Sequence, residues 1–215
     1  MHRLLIVGFG DVGKRFATRY ASRFNLSVVS RTKTGESPSW TRSINWLSAD
    51  LDEPRTLQRL AGLSEGVVYL APPNSSGHTD MRIRNFLRSI TSGLRIPQRL
   101  VYMSTTGVYG DCMGEHVSET RAANPQTDRA RRRIDAEAQV RAWSKSTGCT
   151  SIILRVPGIY ASNRLPLNRL MKSLPTLRAD EDSFSNHIHA DDLAQIVFLA
   201  LFRGKGGRIY NCTDD

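Results

Sequence analysis

Cysteine is scarce and odd in number. Cys112, Cys149 and Cys212 are too few and too widely spaced for a disulfide framework or a zinc site. The expectation is therefore a protein of the reducing cytoplasm with no metal centre. No apolar run approaches the roughly 18 residues that a membrane-spanning helix needs. The apolar stretch near the N-terminus is too short for a secretory signal and lacks its small-residue cleavage site. Acidic side chains are in deficit, with 20 Asp and Glu against 30 Lys and Arg, a formal charge of +10 over 215 residues. Such a balance suits a nucleic-acid surface, or a solvated basic exterior that draws an anionic small molecule. Only Arg129 to Arg133 cluster densely, and no nucleic-acid motif accompanies them, so the second reading is preferred. Internal repeats and low-complexity linkers are also missing, which leaves one domain over residues 1–215.

What is present begins with a strand, a glycine turn and a helix. Arg3-Leu4-Leu5-Ile6-Val7 is an apolar strand, Gly8-Phe9-Gly10-Asp11-Val12-Gly13 follows at once, and Lys14 to Phe24 reads as a helix. G-x-G-x-x-G after a strand and at the start of a helix is the setting that predicts a dinucleotide site. Gly8 permits the tight turn, Gly10 lets backbone approach a pyrophosphate, and Gly13 lets helix and strand pack closely. The helix N-terminus adds N–H donors and a positive dipole end for the phosphates.

Leu26 to Ser30 is a second strand. An NAD site expects a carboxylate about 20 residues past the glycines, to hold the ribose 2′-hydroxyl. Ser30 and Arg31 stand there instead, with Lys33 nearby. A guanidinium can hold a 2′-phosphate that a carboxylate would repel. NADP is thus expected over NAD, against the plainer reading that Arg31 points to solvent. Asp50, after a third strand at Ile44 to Leu47, could accept from the adenine amino group or cap the helix predicted from Pro54 to Gly62.

Further strands are predicted at Gly66–Ala71, Arg99–Met103, Ser151–Val156, Asn186–His189 and Arg208–Cys212. Helices are predicted over Met81–Ile90, from Thr127 or Asp128 to Ser146, over Arg164–Leu174 and over Leu193–Phe202. Ser37–Trp40, Asp111–Pro125 and Arg178–Ser185 read as loops. Pro72-Pro73 takes the chain out of the sheet at the edge where ligands bind. Alternating strands and helices give an α/β, doubly wound parallel sheet of Rossmann type.

The whole chain resembles the short-chain dehydrogenase/reductase superfamily, in its extended epimerase/dehydratase form. The motifs that carry the likeness are the glycine turn, Tyr102-Met103-Ser104-Thr105-Thr106-Gly107-Val108-Tyr109-Gly110, Leu154-Arg155-Val156-Pro157-Gly158-Ile159-Tyr160, His187-Ile188-His189-Ala190-Asp191-Asp192-Leu193 and Ile209-Tyr210-Asn211. The resemblance implies that Gly8, Gly10, Asp11, Val12 and Gly13 form the pyrophosphate turn. Arg31 would face the adenosine phosphate, Asp50 and Leu51 the adenine, and Ala71 and Pro72 the ribose. Ser104 and Thr105 would stand near the nicotinamide ribose and substrate, with Thr105 in the catalytic serine/threonine place. Pro157, Gly158 and Ile159 would pass the nicotinamide, and His189 would be structural.

Two departures qualify that likeness. Active relatives carry a Tyr-x-x-x-Lys pair on the long helix, the Tyr as proton donor and the Lys as holder of the ribose. Those places here are Arg129 and Arg133, and no Tyr or Lys occurs between Asp111 and Arg141. Arg133 could still hold the ribose or a substrate anion, whereas a guanidinium does not serve as a general acid. Tyr102 and Tyr109 flank Thr105 as alternative donors. Extended relatives also continue beyond the Tyr-Asn strand, so the expectation is a shortened form. Residues 157–189 would then contribute to an incomplete substrate-side lobe that is open or completed by a partner chain.

The first functional expectation is an NADP-dependent oxidoreductase or epimerase-like enzyme acting on a small polar or anionic substrate. A non-catalytic NADP(H) sensor or scaffold is the alternative, and a nucleic-acid-binding domain comes third. A homodimer is compatible with either of the first two.

Overall fold

Strand β1 (Arg3–Val7) shows how the fold follows from the sequence. Leu4 and Ile6 enter one hydrophobic core, whereas Leu5 and Val7 enter another on the opposite face. A strand buried on both faces has no polar positions to alternate with, which is why it reads as an uninterrupted apolar run. The computed structural model describes residues 2–31, 44–165, 171, 178 and 184–214.

Along the chain, β1 leads to α1 (Asp11–Tyr20), β2 (Asn25–Ser30), β3 (Asn45–Ser48), β4 (Gly66–Tyr69) and α2 (Met81–Thr91). Then come β5 (Arg99–Thr105), α3 (Asp128–Thr147), β6 (Thr150–Val156), β7 (Gly158–Tyr160), β8 (His187–His189), α4 (Ala190–Arg203) and β9 (Ile209–Asn211). Seven strands form one sheet in the order β3-β2-β1-β4-β5-β6-β9. Every pairing in it is parallel. β7 and β8 make a separate parallel pair.

One face of the sheet is covered by α1 and α4, where Phe16 and Ala17 meet the core shared by Leu193, Val197 and Leu201. Tyr20 stacks on Phe198 with ring centroids 4.1 Å apart. The other face carries α2 and α3. In α2, Ile83, Phe86, Leu87 and Ile90 fall at the i, i+3, i+4, i+7 spacing of one helical stripe and are all buried. α3 is different, since Arg132, Arg133 and Glu137 are buried beside Ala136, Val140 and Trp143.

Several sequence expectations shift. The first helix starts at Asp11 and its α-helical part ends at Tyr20, followed by a 3₁₀ turn over Ala21–Arg23. Residues Pro54–Leu60 form a 3₁₀ helix rather than an α-helix, and its N-cap position is Glu53. Asp50 therefore does not cap it. Its carboxylate accepts instead from the Asp52 amide at 3.0 Å, a local turn bond that short acidic side chains favour. Thr127, not Asp128, caps α3, accepting from the Ala130 amide. Lys33, the loop at 37–40, most of the helix expected over 164–174 and most of the loop over 178–185 lie outside the described residues.

Candidate functional site

Strand order reverses between β1 and β4, which opens a crevice at the carboxyl ends of the strands. The glycine turn sits in it. Gly8 has φ +91°, and a Cβ there would lie 2.6 Å from the Ala71 nitrogen, so both conformation and space demand glycine. At Gly13 a Cβ would meet the Gly8 carbonyl at 3.1 Å and Leu70 at 3.5 Å, which fits its predicted part in helix–strand packing. Around Gly10 nothing lies within 4 Å of the Cβ position, and no side chain caps the first turn of α1. The backbone there can accept a bulky anion at close range, so the turn fits a dinucleotide pyrophosphate.

Val12 is buried beneath the turn, while Asp11 carries the first charge of the helix. Its carboxylate is gripped by Arg15 at 3.2 Å and by Arg164 at 3.3 Å. Arg15 also reaches Asp191 at 2.6 Å and Asn163 at 2.7 Å. The segment after β7 is thereby tied to the helix that begins at the glycines.

Arg31 is exposed at the bend after β2, and its carbonyl accepts from Ser48 Oγ. Leu51 is buried, and its carbonyl accepts from Asn85 Nδ2 at 2.9 Å. Arg82 forks onto Asp52 with bonds of 2.8 and 2.6 Å. Its other nitrogen donates to the Pro72 and Pro73 carbonyls at 3.3 Å. One side chain of α2 therefore ties together the two loops expected to flank the adenosine. The Arg82 hydrogen bond holds the Asp52 carboxyl below its ordinary value.

At the carboxyl ends of β5 and β6, register sets Ser104 beside Arg155 and Thr105 beside Val156, so Pro157 follows directly alongside. Thr105 is half-buried and its oxygen accepts from the Gly107 amide at 3.2 Å. Ser104 is buried and donates to Glu137 at 2.6 Å. Glu137 in turn binds Arg155 through contacts of 3.1 and 2.7 Å. The Arg155 guanidinium lies 4.6 Å from the Tyr109 ring centroid, and the Tyr109 hydroxyl donates to Asn211 at 2.8 Å. Gly158 passes the His187 ring, which a Cβ would approach to 2.7 Å, and Ile159 packs against the core. His189 accepts from the Asp191 amide and caps α4, the structural role expected of it.

The arginines at the Tyr-x-x-x-Lys places diverge. Arg129 is exposed. Arg133 is buried, and its Nη1 donates to Tyr102 Oη at 3.0 Å, to the Met103 carbonyl at 2.8 Å and to the Ala71 carbonyl at 3.4 Å. Arg132 likewise turns inward, onto the Gly77 carbonyl at 2.6 Å. The basic cluster is therefore not a single solvated helix face, because two of its members serve as internal braces. Tyr102 is fully buried, and burial pushes its hydroxyl up to about 12, which makes it a weaker acid than an exposed tyrosine.

Arg82, Asn85, Glu137 and Arg164 were not singled out from the sequence. Arg82 and Asn85 share a helix face at i, i+3, a weak signal. The others find their partners only across the fold.

Known proteins are similar to this chain in sequence or in fold. Protein YeeZ of Escherichia coli is 28% identical over 225 residues, covering 98% of this chain and 77% of its own length. A dTDP-glucose 4,6-dehydratase of Mycobacterium tuberculosis is 26% identical over 190 residues, covering 78% of this chain and 56% of its own. The crystal structure of a Thermus thermophilus UDP-glucose 4-epimerase in complex with NAD superposes with a TM-score of 0.80 at 22% identity, over 98% of this chain and 77% of that one. The model of the NAD dependent epimerase/dehydratase family matches residues 4–213, and the chain belongs to that family.

Proposed function

We propose that this chain binds NADP(H) in the crevice and uses it in oxidoreductase or epimerase-type chemistry on a small, anionic polar substrate. The observation that carries the cofactor reading is the open backbone at Gly10, between a glycine that must be glycine and a helix start with no side-chain cap. Arg31, where a carboxylate would select NAD, supports the phosphorylated form. The names of the Mycobacterium and Thermus proteins suggest sugar nucleotides as the substrate class. Three unpaired thiols are in keeping with a reducing cytoplasm.

In this reading Gly10 and the first-turn amides of α1 hold the pyrophosphate, Arg31 the 2′-phosphate, Asp50 and Leu51 the adenine, and Ala71 and Pro72 the ribose. The bound cofactor supplies hydride exchange at its nicotinamide ring. Pro157 to Ile159 would form the wall beside that ring. Thr105, at the end of β5, orients the reacting oxygen, and Ser104 backs it from the buried bond to Glu137. Arg133 acts on the site by holding the Ala71 and Met103 carbonyls in place. Proton transfer cannot use the family's Tyr place, because the Arg129 guanidinium stays protonated. That feature favours a second reading, a non-catalytic NADP(H) sensor.

NADPH fluorescence titration of the wild type and of Gly10→Val tests the cofactor reading, which fails if the two bind alike or neither binds. Turnover with a sugar-nucleotide panel separates enzyme from sensor. Activity lost in Thr105→Ala supports the enzyme, activity that survives the substitution refutes the role of Thr105, and tight binding without turnover favours the sensor.

A further inference from the structure

A carboxylate stands close to the proposed 2′-phosphate site, and a second arginine holds it. The segments that carry Arg31 and Asp52 run side by side. Ser30 pairs with Ser48 in the β2–β3 register, the Ala49 amide donates to the Ser30 carbonyl, and Ser48 Oγ donates to the Arg31 carbonyl. Asp52 lies within electrostatic reach of Arg31, whose charge helps to lower its pKa. Among the described residues the Arg31 guanidinium has no hydrogen-bonding partner. Asp52 is held in the fork of Arg82.

An unneutralised Asp52 would act twice against a phosphorylated ribose. It would repel the phosphate and compete with it for Arg31. We propose that Arg82 is a specificity-determining positioning residue, which neutralises Asp52 and so leaves Arg31 available to a 2′-phosphate. The two bonds from Arg82 to the Pro72 and Pro73 carbonyls fix its guanidinium independently of Asp52, so the fork is already in place when the cofactor arrives. This proposal rests on the NADP reading given above and assigns part of that preference to a residue that acts through Asp52.

The test is parallel titration of the folded protein with NADPH and NADH at one low ionic strength. The proteins are the wild type, Arg31→Ala, Arg82→Gln, Asp52→Asn and the double variant Arg82→Gln/Asp52→Asn. Glutamine keeps an amide donor for the proline carbonyls but removes the charge. The expected result is a fall of about tenfold in the NADPH-to-NADH affinity ratio in Arg82→Gln, equivalent to about 1.4 kcal/mol of differential binding. Asp52→Asn in the same background should restore the ratio. If Arg82→Gln weakens both cofactors equally, or Asp52→Asn restores nothing, Arg82 merely braces the loops and the proposal is overturned. Should Arg82→Gln fail to fold, Asp52→Asn alone still decides, because a lowered ratio contradicts the argument and a raised one supports it. A wild type that prefers NADH, or an Arg31→Ala variant that binds NADPH unchanged, instead removes the NADP reading and the proposal with it.

Discussion

Glu137 and Arg155 offer the sharpest test of how α3 is held to the ends of β5 and β6. Both are about 4% exposed, their shortest contact is 2.7 Å, and the second Glu137 oxygen also receives the Ser104 hydroxyl. One Arg155 nitrogen, Nη1, is buried with no hydrogen-bond partner, so the pair has little in reserve. Replacing Glu137 by Leu strands a buried guanidinium, and replacing Arg155 by Met strands a buried carboxylate. Each single change should cost about 3–5 kcal/mol, the penalty for an uncompensated buried charge. The double variant Glu137→Leu/Arg155→Met removes both charges together and should cost no more than either single change, which makes the coupling energy at least about 3 kcal/mol. Urea unfolding reads each value from the midpoint, provided the slope is unchanged. Singles that cost under about 1 kcal/mol, or a double variant equal to their sum, would refute the reasoning.

Other expectations are simpler to check. Gly8→Ala should cost roughly 2 kcal/mol or more from its positive φ and the clash with Ala71, whereas Gly10→Val should leave the unfolding midpoint nearly unchanged while abolishing NADPH binding. Asp80 is fully buried, one of its oxygens lacks a partner, and burial raises its pKa. Its contribution is therefore greatest below the ordinary carboxylate pKa and is lost as pH rises through the raised value. Asp80→Asn, which keeps a capping oxygen for Ile83, should gain stability relative to wild type across that window, and a difference flat with pH would count against it. Burial pushes the Cys149 and Cys212 thiols up to about 12. A thiol reagent at pH 8 should accordingly modify Cys112 first and reach the other two only on unfolding, which peptide mapping of the labelled protein can check.

Much of the fold was legible because its signals are contiguous. Continuous apolar runs marked strands buried on both faces, and the i, i+3, i+4, i+7 stripe marked α2. The long helix α3 was placed by its cap and its length, although its inward face is partly charged. The expected helix after Pro54 turned out to be 3₁₀ over Pro54–Leu60. Asp50 illustrates a limit of local reading. Capping and adenine contact were equally compatible with its position, and the structure overturns capping, since Glu53 is the N-cap and Asp50 Oδ1 accepts from the Asp52 amide.

The sequence by itself determined the strand–turn–helix unit, the parallel α/β order, the need for glycine at position 8 and the absence of Tyr and Lys between Asp111 and Arg141. Each of these is written in neighbouring residues or in a short periodicity. Only the tertiary structure decided which arginines are internal. Arg155 meets Glu137 across 18 residues, Arg82 meets Asp52 across 30, and Arg133 meets the Ala71 carbonyl across 62. A guanidinium on an exposed helix face and one bracing a loop carbonyl look alike in sequence. The difference lies in which distant acceptors the packed sheet brings within about 3 Å, where a buried charge must find partners or the fold is lost.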